Sequence, residues 1–330
     1  MIVIDHISKR YGEQVAVDDL SFTVKPGVVT GFLGPNGAGK STTMRMIIGL
    51  DRADSGQITI DGKRYAEHRA PIHEVGALLD AKGVHPARSA RNHLLAIAAT
   101  TGVPASRVDE VLHIVGLPGA AGRKAGDFSL GMSQRLGIAG ALLANPAILL
   151  FDEPVNGLDP EGILWIRGLL AELAEQGRTV FVSSHLITEL GAVAEHLVII
   201  GRGRLIAEIP MSELGAGAAQ RSVHVRSPQA GALAELLHGD GIAVRAGADR
   251  DVLDVTGLDS QTIGRRAAEA GVVLYELTPK TVSLEQAFMD LTRDAVDYPA
   301  HAALPANPTL PTLSTHPSPP THPTLDRSAA

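Results

Sequence analysis

The chain of 330 residues contains no cysteine and no run of lysine or arginine. Without cysteine it forms no disulfides and no thiolate metal sites, which fits a reducing compartment. The formal net charge is −7. Because the acidic residues outnumber the basic ones and no basic cluster occurs, we do not expect a nucleic-acid partner.

Long apolar runs are also missing. The longest, Gly140 to Phe151, is interrupted by Asn145-Pro146 and falls short of the roughly 20 residues that a membrane-spanning helix needs. Met1 to Ile7 is a short strand-like run with polar residues inside it, so we expect no targeting segment there. Any membrane role is therefore expected to come through a partner.

One glycine-rich stretch matches the phosphate-binding P-loop pattern G-x-x-x-x-G-K-[ST]. The stretch consists of Gly34, Pro35, Asn36, Gly37, Ala38, Gly39, Lys40 and Ser41, and Thr42 follows it. Glycines allow successive backbone N–H groups to point at one group of oxygens. A strand-like segment, 28–33, precedes the loop and a helical segment, 41–48, follows it. This context argues against an accidental match by a glycine-rich turn.

The cationic residue and the hydroxyl of this loop have separate expected roles. Lys40 reaches the β- and γ-phosphates of a nucleoside triphosphate, and the positive end of the helix that starts there adds to the attraction. The Ser41 hydroxyl is expected to bind Mg²⁺. The loop therefore predicts a bound nucleoside triphosphate with magnesium.

A second acidic motif follows an apolar strand. Residues 148–151 are Ile-Leu-Leu-Phe, and Asp152 and Glu153 come directly after them. Asp152 matches the Walker B aspartate, which supports Mg²⁺ beside Ser41. Glu153 is placed to orient or deprotonate the water that attacks the γ-phosphate. Two solvated acids at a strand end are the simpler explanation, but the P-loop upstream argues against it.

Strand-like and helix-like segments alternate through the first two thirds of the chain. Apolar residues recur at helical spacing on two faces between residues 89 and 117. A strand over 147–151, a helix over 160–176, a strand over 179–183 and a helix from 186 follow in order. This alternation predicts an α/β fold with a mostly parallel sheet covered by helices.

A glycine-rich break near residues 215–217 separates this part from the rest, so we predict a first domain over 1–215. Residues 216–295 show the order strand, helix, strand, strand, helix and strand, which is that of the split βαβ, ferredoxin-like arrangement. The last strand is predicted over 272–277. A helix over 284–291 is expected to close this small α+β domain.

The C-terminal residues 296–330 contain eight of the twenty prolines of the chain, interleaved with threonine, serine and histidine. We predict a disordered tail, because such a composition cannot bury enough apolar surface to fold. A proline-rich ligand for a partner domain and a histidine-based metal site are the alternatives. His316 and His322 have no cluster of further ligands around them, which disfavours the metal site.

Further motifs lie on both sides of the strand 148–151. Residues 127–136, Asp-Phe-Ser-Leu-Gly-Met-Ser-Gln-Arg-Leu, precede it, residues 155–160, Val-Asn-Gly-Leu-Asp-Pro, follow it, and Ser183-Ser184-His185 ends the next strand. In this order they resemble the signature motif, the D-loop and the switch-histidine loop of ATP-binding cassette (ABC) proteins. Tyr11 lies ahead of the P-loop, where such proteins stack an aromatic ring on adenine. The resemblance covers about residues 1–215.

The resemblance implies an ABC-type P-loop ATPase with a mixed sheet and a helical signature subdomain. It also implies a head-to-tail homodimer that buries two ATP molecules with Mg²⁺. Ser129 and Gly131 of one copy would face the γ-phosphate held by the P-loop of the other copy, and Asp159 would contact that copy. His185 would hydrogen-bond the γ-phosphate, and Tyr11 would stack on the base.

Simpler explanations exist for some of these residues taken singly. An aspartate before Pro160, such as Asp159, is an ordinary helix cap. A single histidine such as His185 is often a hydrogen-bonded core residue, and a Tyr-Gly turn is common. For His185 the position after a buried strand and two serines favours the functional interpretation.

Three positions depart from the usual ABC pattern. Leu130 and Met132 replace a glycine and a glutamine of the signature, and Asp80 stands where a glutamine normally touches Mg²⁺ and the membrane partner. An aspartate can still bind Mg²⁺ through water, but it donates no hydrogen bond. These changes resemble those of bacitracin- and daunorubicin-resistance type exporter ATPases, which implies export rather than import.

The resemblance therefore implies the ATP-hydrolysing subunit of an ABC exporter that drives efflux of a drug, antibiotic or similar amphiphile. Separate integral membrane permease subunits would hold it at the cytoplasmic face of the membrane, and the segment 80–90 would transmit its motion to them. One alternative is a soluble ABC ATPase that acts on ribosomes or DNA, although such proteins usually carry paired cassettes or basic patches. The other is a P-loop regulatory module without turnover.

Overall fold

The computed structural model of the chain describes residues 1–81, 83–217, 222–239, 241–247, 249–280 and 284–292. The predicted tail, 296–330, lies outside these residues, so its disorder stays a prediction. The strands within them are β1 (Ile2–Tyr11), β2 (Gln14–Val24), β3 (Val29–Leu33), β4 (Ser55–Ile60), β5 (Val75–Leu78), β6 (Ile148–Phe151), β7 (Thr179–Ser184), β8 (His196–Gly201), β9 (Arg204–Pro210), β10 (Ser222–Arg226), β11 (Ala243–Ala246), β12 (Val252–Thr256) and β13 (Glu276–Lys280).

The helices of the same residues connect these strands. They are α1 (Lys40–Ile47), α2 (Pro71–Glu74), α3 (Ala90–Thr101), α4 (Ala105–Ile114), α5 (Leu130–Leu142), α6 (Pro160–Glu175), α7 (Ile187–Leu190), α8 (Met211–Gly217), α9 (Ala230–Leu237), α10 (Ser260–Glu269) and α11 (Leu284–Thr292). The predicted helical region 89–117 is thus two helices, α3 and α4. Gly102, in the left-handed conformation, ends α3, and Pro104 precedes α4.

A six-stranded sheet forms the centre of the fold, with the order β5-β6-β7-β3-β8-β9. The first five strands are parallel, and β9 runs antiparallel to β8. Strands β3, β6 and β7 are buried along their whole length, because other layers cover both faces of the sheet. The prediction of a mostly parallel sheet is therefore confirmed.

One face of this sheet packs against a three-stranded antiparallel sheet with the order β2-β1-β4. Phe22 of β2, Phe32 of β3 and Phe181 of β7 meet in the core between the sheets, with ring centroids 5.0–5.7 Å apart. Such tilted ring pairs stabilise a core beyond the burial of their area. They connect the antiparallel sheet to the strands that precede the P-loop and the switch-histidine loop.

The other face of the six-stranded sheet is covered by helices α3 to α6. Leu94 of α3, Val108 and Val111 of α4 and Leu136 of α5 are buried in one apolar cluster with Phe151. The Ser89 hydroxyl caps α3 by accepting a hydrogen bond of 3.3 Å from Asn92 N. The two apolar faces predicted between residues 89 and 117 thus form the helical layer beside the signature region.

A third sheet is antiparallel and has the order β11-β12-β10-β13. Its strands and the helices α9 and α10 follow each other in the order β-α-β-β-α-β, and they bury a separate apolar cluster that includes Val223, Leu233 and Ile263. The last strand begins at Glu276, so the prediction of a strand over 272–277 is wrong at its start. Single contacts hold the segment before it: Ser227 Oγ donates to Val273 O at 2.7 Å, and Tyr275 N donates to Arg226 O at 2.8 Å.

The last described helix, α11, does not close the small domain as expected. It packs against α7 and α8, and its Leu284 and Phe288 join the apolar cluster of the helical layer. A Cβ at Gly191 would lie 2.8 Å from Leu284 Cδ1, so the glycine allows this close approach. The predicted boundary at 215/216 falls within α8, and the domain limits stay a prediction.

None of the helices in the described part of the chain has the length and apolar character that crossing a membrane requires.

Two glycine substitutions are expected to change stability in opposite directions. A Cβ at Gly76 in β5 would overlap the backbone oxygen of Ala141 and lie 2.8 Å from Pro146 Cγ, so Gly76→Ala should destabilise the fold by about 1–3 kcal/mol. Gly168 lies in the middle of α6, where an added Cβ would meet no heavy atom within 4 Å. Gly168→Ala should stabilise by about 0.5–1 kcal/mol.

The measurement is the urea midpoint of both variants against the wild type. Equal midpoints for Gly76→Ala and the wild type would contradict the close packing of β5 against the end of α5.

Candidate active site

The predicted site residues follow the carboxyl ends of neighbouring parallel strands. Asp80 comes shortly after β5, Asp152 and Glu153 follow β6, His185 follows β7, and the P-loop follows β3. In the sheet these four strands are adjacent in the order β5-β6-β7-β3. Because parallel strands end at one edge, residues from four distant parts of the chain meet there.

The P-loop itself is shaped by glycine at the position before α1. Gly39 has φ of 103°, in the left-handed region, and a Cβ there would lie 2.5 Å from Ala16 O. No side chain caps α1. The first N–H groups of the helix therefore remain available for an anion.

Lys40 has a buried side chain that is held within the loop. Its Nζ donates to Gly34 O at 2.7 Å and to Pro35 O at 3.3 Å. The same atom lies 3.4 Å from Glu153 Oε1. The structure thus places the lysine beside the carboxylate that follows β6.

The Glu153 carboxylate lies between a lysine and a histidine side chain. Its Oε1 faces Lys40, and its Oε2 lies 2.9 Å from His185 Nδ1. Its backbone φ of 49° is in the left-handed region, which is uncommon for a residue with a side chain. Its N donates to Ser183 Oγ at 2.9 Å, and its O accepts from Gln134 Nε2 at 3.1 Å. Both backbone groups are therefore bonded at the strained residue.

Asp152 is positioned by the two strands that flank β6, which are β7 and β5. The Ser183 hydroxyl donates to Asp152 Oδ1, and Asp152 N donates to Leu78 O at 2.8 Å. Asp152 lines a cleft of about 550 Å³ together with Ser41 and Asp80. One hydroxyl and two carboxylates therefore line the same cleft, and they come from the segments that follow three different strands.

These three oxygen donors are of the kind that Mg²⁺ prefers. Among the described residues there is no group of three or more His, Cys, Asp or Glu side chains arranged to hold a metal ion. A magnesium ion in this cleft would therefore take fewer protein ligands than a closed all-protein site. Mg²⁺ usually keeps several waters and bridges to phosphates, so the donor set fits it.

A second cleft, of about 300 Å³, lies over the P-loop. The residues that line it are Tyr11, Gln14, Ala16, Asn36, Gly37, Ala38, Gly39, Lys40, Ser41, Thr42 and Glu153. Tyr11 forms one wall, and its ring is about half exposed. The cleft therefore joins an aromatic surface to the phosphate-binding loop, as a nucleoside triphosphate needs.

The signature and D-loop residues lie outside both clefts. Ser129 caps α5 by accepting from Met132 N at 3.2 Å, and Asp159 caps α6 by accepting from Gly162 N at 2.9 Å. Leu130 packs on Gly157 so closely that a Cβ at 157 would overlap its side chain. Gly131 also lies against this loop, since its own Cβ would be 2.9 Å from Gly157 O. The signature and the D-loop of one chain thus form a single packed unit.

Two functional contacts of the site do not follow from the sequence motifs. Gln134 is nearly fully buried and bonds the backbone of Glu153, and Ser183 connects Asp152 with the backbone of Glu153. The available signal is a polar side chain in an apolar setting, because Gln134 lies in a helix of mostly small and apolar residues. A buried polar side chain needs a partner, but the pattern alone does not name it.

Comparison with protein families gives two matches along the chain. Residues 17–156 match the ABC transporter family, which covers the P-loop, the signature and the Walker B strand. Residues 221–285 match a domain of unknown function. The second match coincides with the sheet of β10 to β13 and its helices.

Several curated proteins are similar to the chain. It is 45% identical over 211 residues to the bacitracin transport ATP-binding protein BcrA of Bacillus licheniformis, covering 63% of this chain and 69% of that protein. It is 34% identical to the lantibiotic transport ATP-binding protein SrtF of Streptococcus pyogenes, covering 63% and 90%. An uncharacterized ABC transporter ATP-binding protein, YdbJ of Bacillus subtilis (strain 168), is 33% identical over 88% of this chain and 94% of its own length.

Solved structures with the same fold include an ATP-binding subunit of an ABC transporter, with a TM-score of 0.60 and 26% identity over 66% of this chain and 92% of that one. The dimeric structure of a bacterial ABC transporter cassette has a TM-score of 0.59 and 27% identity over 64% and 99%. Since the YdbJ match extends over nearly the whole of that relative and the cassette fold is shared, the chain belongs to the ATP-binding proteins of ABC transporters and is an ABC ATPase.

Proposed function

We propose that this chain is the ATPase subunit of an ABC exporter that drives the efflux of an antibiotic or similar amphiphile through separate membrane subunits. The similarity to proteins named for bacitracin and lantibiotic transport supports this assignment. In this role the chain lies at the cytoplasmic face of the membrane, held there by its permease partners. ATP is the substrate that its P-loop binds.

The observation that carries the proposed mechanism of ATP hydrolysis is the contact of Glu153 with both Lys40 and His185. Glu153 orients and deprotonates the water that attacks the γ-phosphate. Lys40 stabilises the phosphate oxygens, and His185 responds to the γ-phosphate by hydrogen bonding. Phosphoryl transfer depends mainly on such positioning and electrostatics. Ser41 and Asp152, with Asp80 nearby, would hold Mg²⁺, which would supply positive charge to neutralise the phosphate oxygens.

We further propose that a second copy of the chain completes the site. Ser129, Gly131 and Asp159 line neither of the two clefts of their own chain. The capped start of α5 presents backbone N–H groups, which suit the γ-phosphate bound by another copy. The dimeric structure of a similar cassette supports this arrangement.

The surface next to the signature suits the membrane partner. A cleft of about 470 Å³ is lined by Ala81, Val84 and Pro86 on one side and by Phe128 and Leu130 on the other. It adjoins the segment 80–90, and its lining is mainly apolar. A helix of a permease subunit that docks here would contact both the loop after Asp80 and the start of the signature helix. Movement of either element would then displace the docked helix.

Glu153→Gln should abolish turnover without abolishing ATP binding. The amide cannot accept the proton of the attacking water, so kcat should fall about 100-fold or more. The variant should still bind ATP and accumulate as a dimer in the presence of ATP and Mg²⁺. Steady-state phosphate release and gel filtration measure the two properties.

Glu172→Gln, an acid on the exposed face of α6, serves as the control and should retain the wild-type rate. Hydrolysis at the wild-type rate by Glu153→Gln would contradict the general-base assignment. The exporter assignment is tested by purifying the chain from membranes of its own host. Recovery of a polytopic membrane protein supports it, and recovery of the chain with ribosomes instead contradicts it.

Gly157→Ala should slow hydrolysis because the new Cβ displaces Leu130, and with it the start of the signature helix. We expect kcat to fall about 10- to 100-fold, while the affinity of the single chain for ATP stays unchanged. Leu130→Ala in the same chain removes the overlap and should restore part of the rate. The measurement is ATPase activity against enzyme concentration for the single and double variants.

Gly177→Ala is the matched control, because Gly177 also has a left-handed φ, 82° against 78° at Gly157, but a Cβ there meets no atom within 4 Å. It introduces the same backbone strain without the overlap. Equal rates for Gly157→Ala and the double variant would show that the Leu130 contact does not control the signature.

A further inference from the structure

Tyr11 and the P-loop belong to different sheets. Tyr11 ends β1 of the antiparallel sheet, whereas the P-loop follows β3 of the six-stranded sheet. Both line the cleft over the P-loop. The distance between the aromatic ring and the phosphate-binding loop must match the length of a nucleotide. Regular strand pairing does not set this distance, because no ladder joins β1 to β3.

A side-chain contact connects Tyr11 to the P-loop helix. Tyr11 Oη donates to Asp51 Oδ2 at 2.8 Å. The same carboxylate accepts from Arg45 Nε at 2.7 Å and from Arg45 Nη2 at 3.4 Å. Arg45 lies in α1, five residues after Lys40. The ring is thus joined through one carboxylate to the helix that starts in the P-loop.

The backbone holds Asp51 to the same helix. Asp51 N lies 3.4 Å from Arg45 O, to which it donates, and Leu50 N donates to the same oxygen at 2.9 Å. Arg45 therefore contacts Asp51 through both its side chain and its carbonyl group. The side chain and the backbone N–H of Asp51 are thus both bonded to Arg45 of α1. The position of the carboxylate that binds Tyr11 is therefore set by α1.

The charges around this contact keep each group in the form it needs. The Arg45 guanidinium, followed by the Tyr11 hydroxyl, lowers the pKa of Asp51, so the acid is a carboxylate at neutral pH. Burial, followed by the hydrogen bond to Asp51, raises the pKa of Tyr11, so the phenol keeps its proton. Lys9 Nζ lies 5.4 Å from the centre of the ring on its face. The tyrosine therefore remains a donor and the aspartate an acceptor.

We propose that Asp51 is a positioning residue for nucleotide binding, which holds the Tyr11 ring at a set distance from the P-loop through its double contact with Arg45. The inference rests on the proposed function, in which Tyr11 stacks on the base. A ring that is already held in place loses little freedom when a base stacks on it. Asp51 thus raises the affinity for the base part of ATP without touching ATP.

The experiment compares Asp51→Ala, Tyr11→Phe and the double variant in the full chain. Each removes the same hydrogen bond, so each should raise the Kd and KM for ATP about 3- to 10-fold. Their effects should not add in the double variant, because the bond is lost only once. For Asp51→Ala, kcat at saturating ATP should stay unchanged. Affinity for inorganic tripolyphosphate, which has no base, should also stay unchanged.

Asp109→Ala is the matched control, because Asp109 accepts two hydrogen bonds from Arg91 in the helical layer but none from a tyrosine of the described residues. It should leave the KM for ATP unchanged. Additive effects of Asp51→Ala and Tyr11→Phe, or an equal loss of tripolyphosphate affinity, would overturn the proposal. Tyr11→Phe keeps the Arg45–Asp51 pair, so it remains informative if Asp51→Ala folds poorly.

Tyr11→Ala separates this inference from the proposed function. If Tyr11→Ala leaves the affinity for ATP intact, the ring does not stack on the base and the proposed role of Tyr11 fails. If Tyr11→Ala weakens ATP binding but Tyr11→Phe and Asp51→Ala do not, the ring stacks without help from Asp51 and only the present inference fails.

Discussion

The carboxylate of Glu153 is the contact on which the site depends. It lies between Lys40 and His185, so it joins the ends of three neighbouring strands at one point. The strand order β6-β7-β3 makes this possible. Lys40, Glu153 and His185 therefore share one edge of one sheet. They are the residues that we propose bind phosphate, activate water and respond to the γ-phosphate.

At Glu153, hydrogen bonds to the backbone offset the cost of a strained backbone conformation. Glu153 holds a left-handed backbone conformation, which costs of order 1–3 kcal/mol. Its N and O are bonded by Ser183 and Gln134, which keep the conformation in place. Because Gln134 lies in α5, the backbone of Glu153 is bonded to the signature helix of the same chain. One hydrogen bond thus connects the proposed general base with the helix that we propose faces a second copy.

The departures from the usual signature have a structural counterpart in the D-loop. Leu130 replaces a glycine, and its bulk fits over Gly157, where a side chain would collide with it. The Leu130 side chain fills the space that is free because residue 157 is a glycine. The two loops therefore pack together next to the capped start of α5.

Local patterns in the sequence determined the α/β class, the P-loop, the acidic strand end and the helical character of residues 89–117, but not its division into two helices. Each of these features depends on residues that are close in the chain, such as the glycines that precede Lys40 or the four apolar residues that precede Asp152. The partners of Gln134 and Asp51, the start of β13 and the placement of α11 on α7 and α8 did not follow from such patterns. They are contacts between segments distant in the chain, and only the tertiary structure decides which polar group meets which. The sequence by itself thus determined the chemistry that the strand ends carry, whereas the order of the strands decided that Lys40, Glu153 and His185 meet.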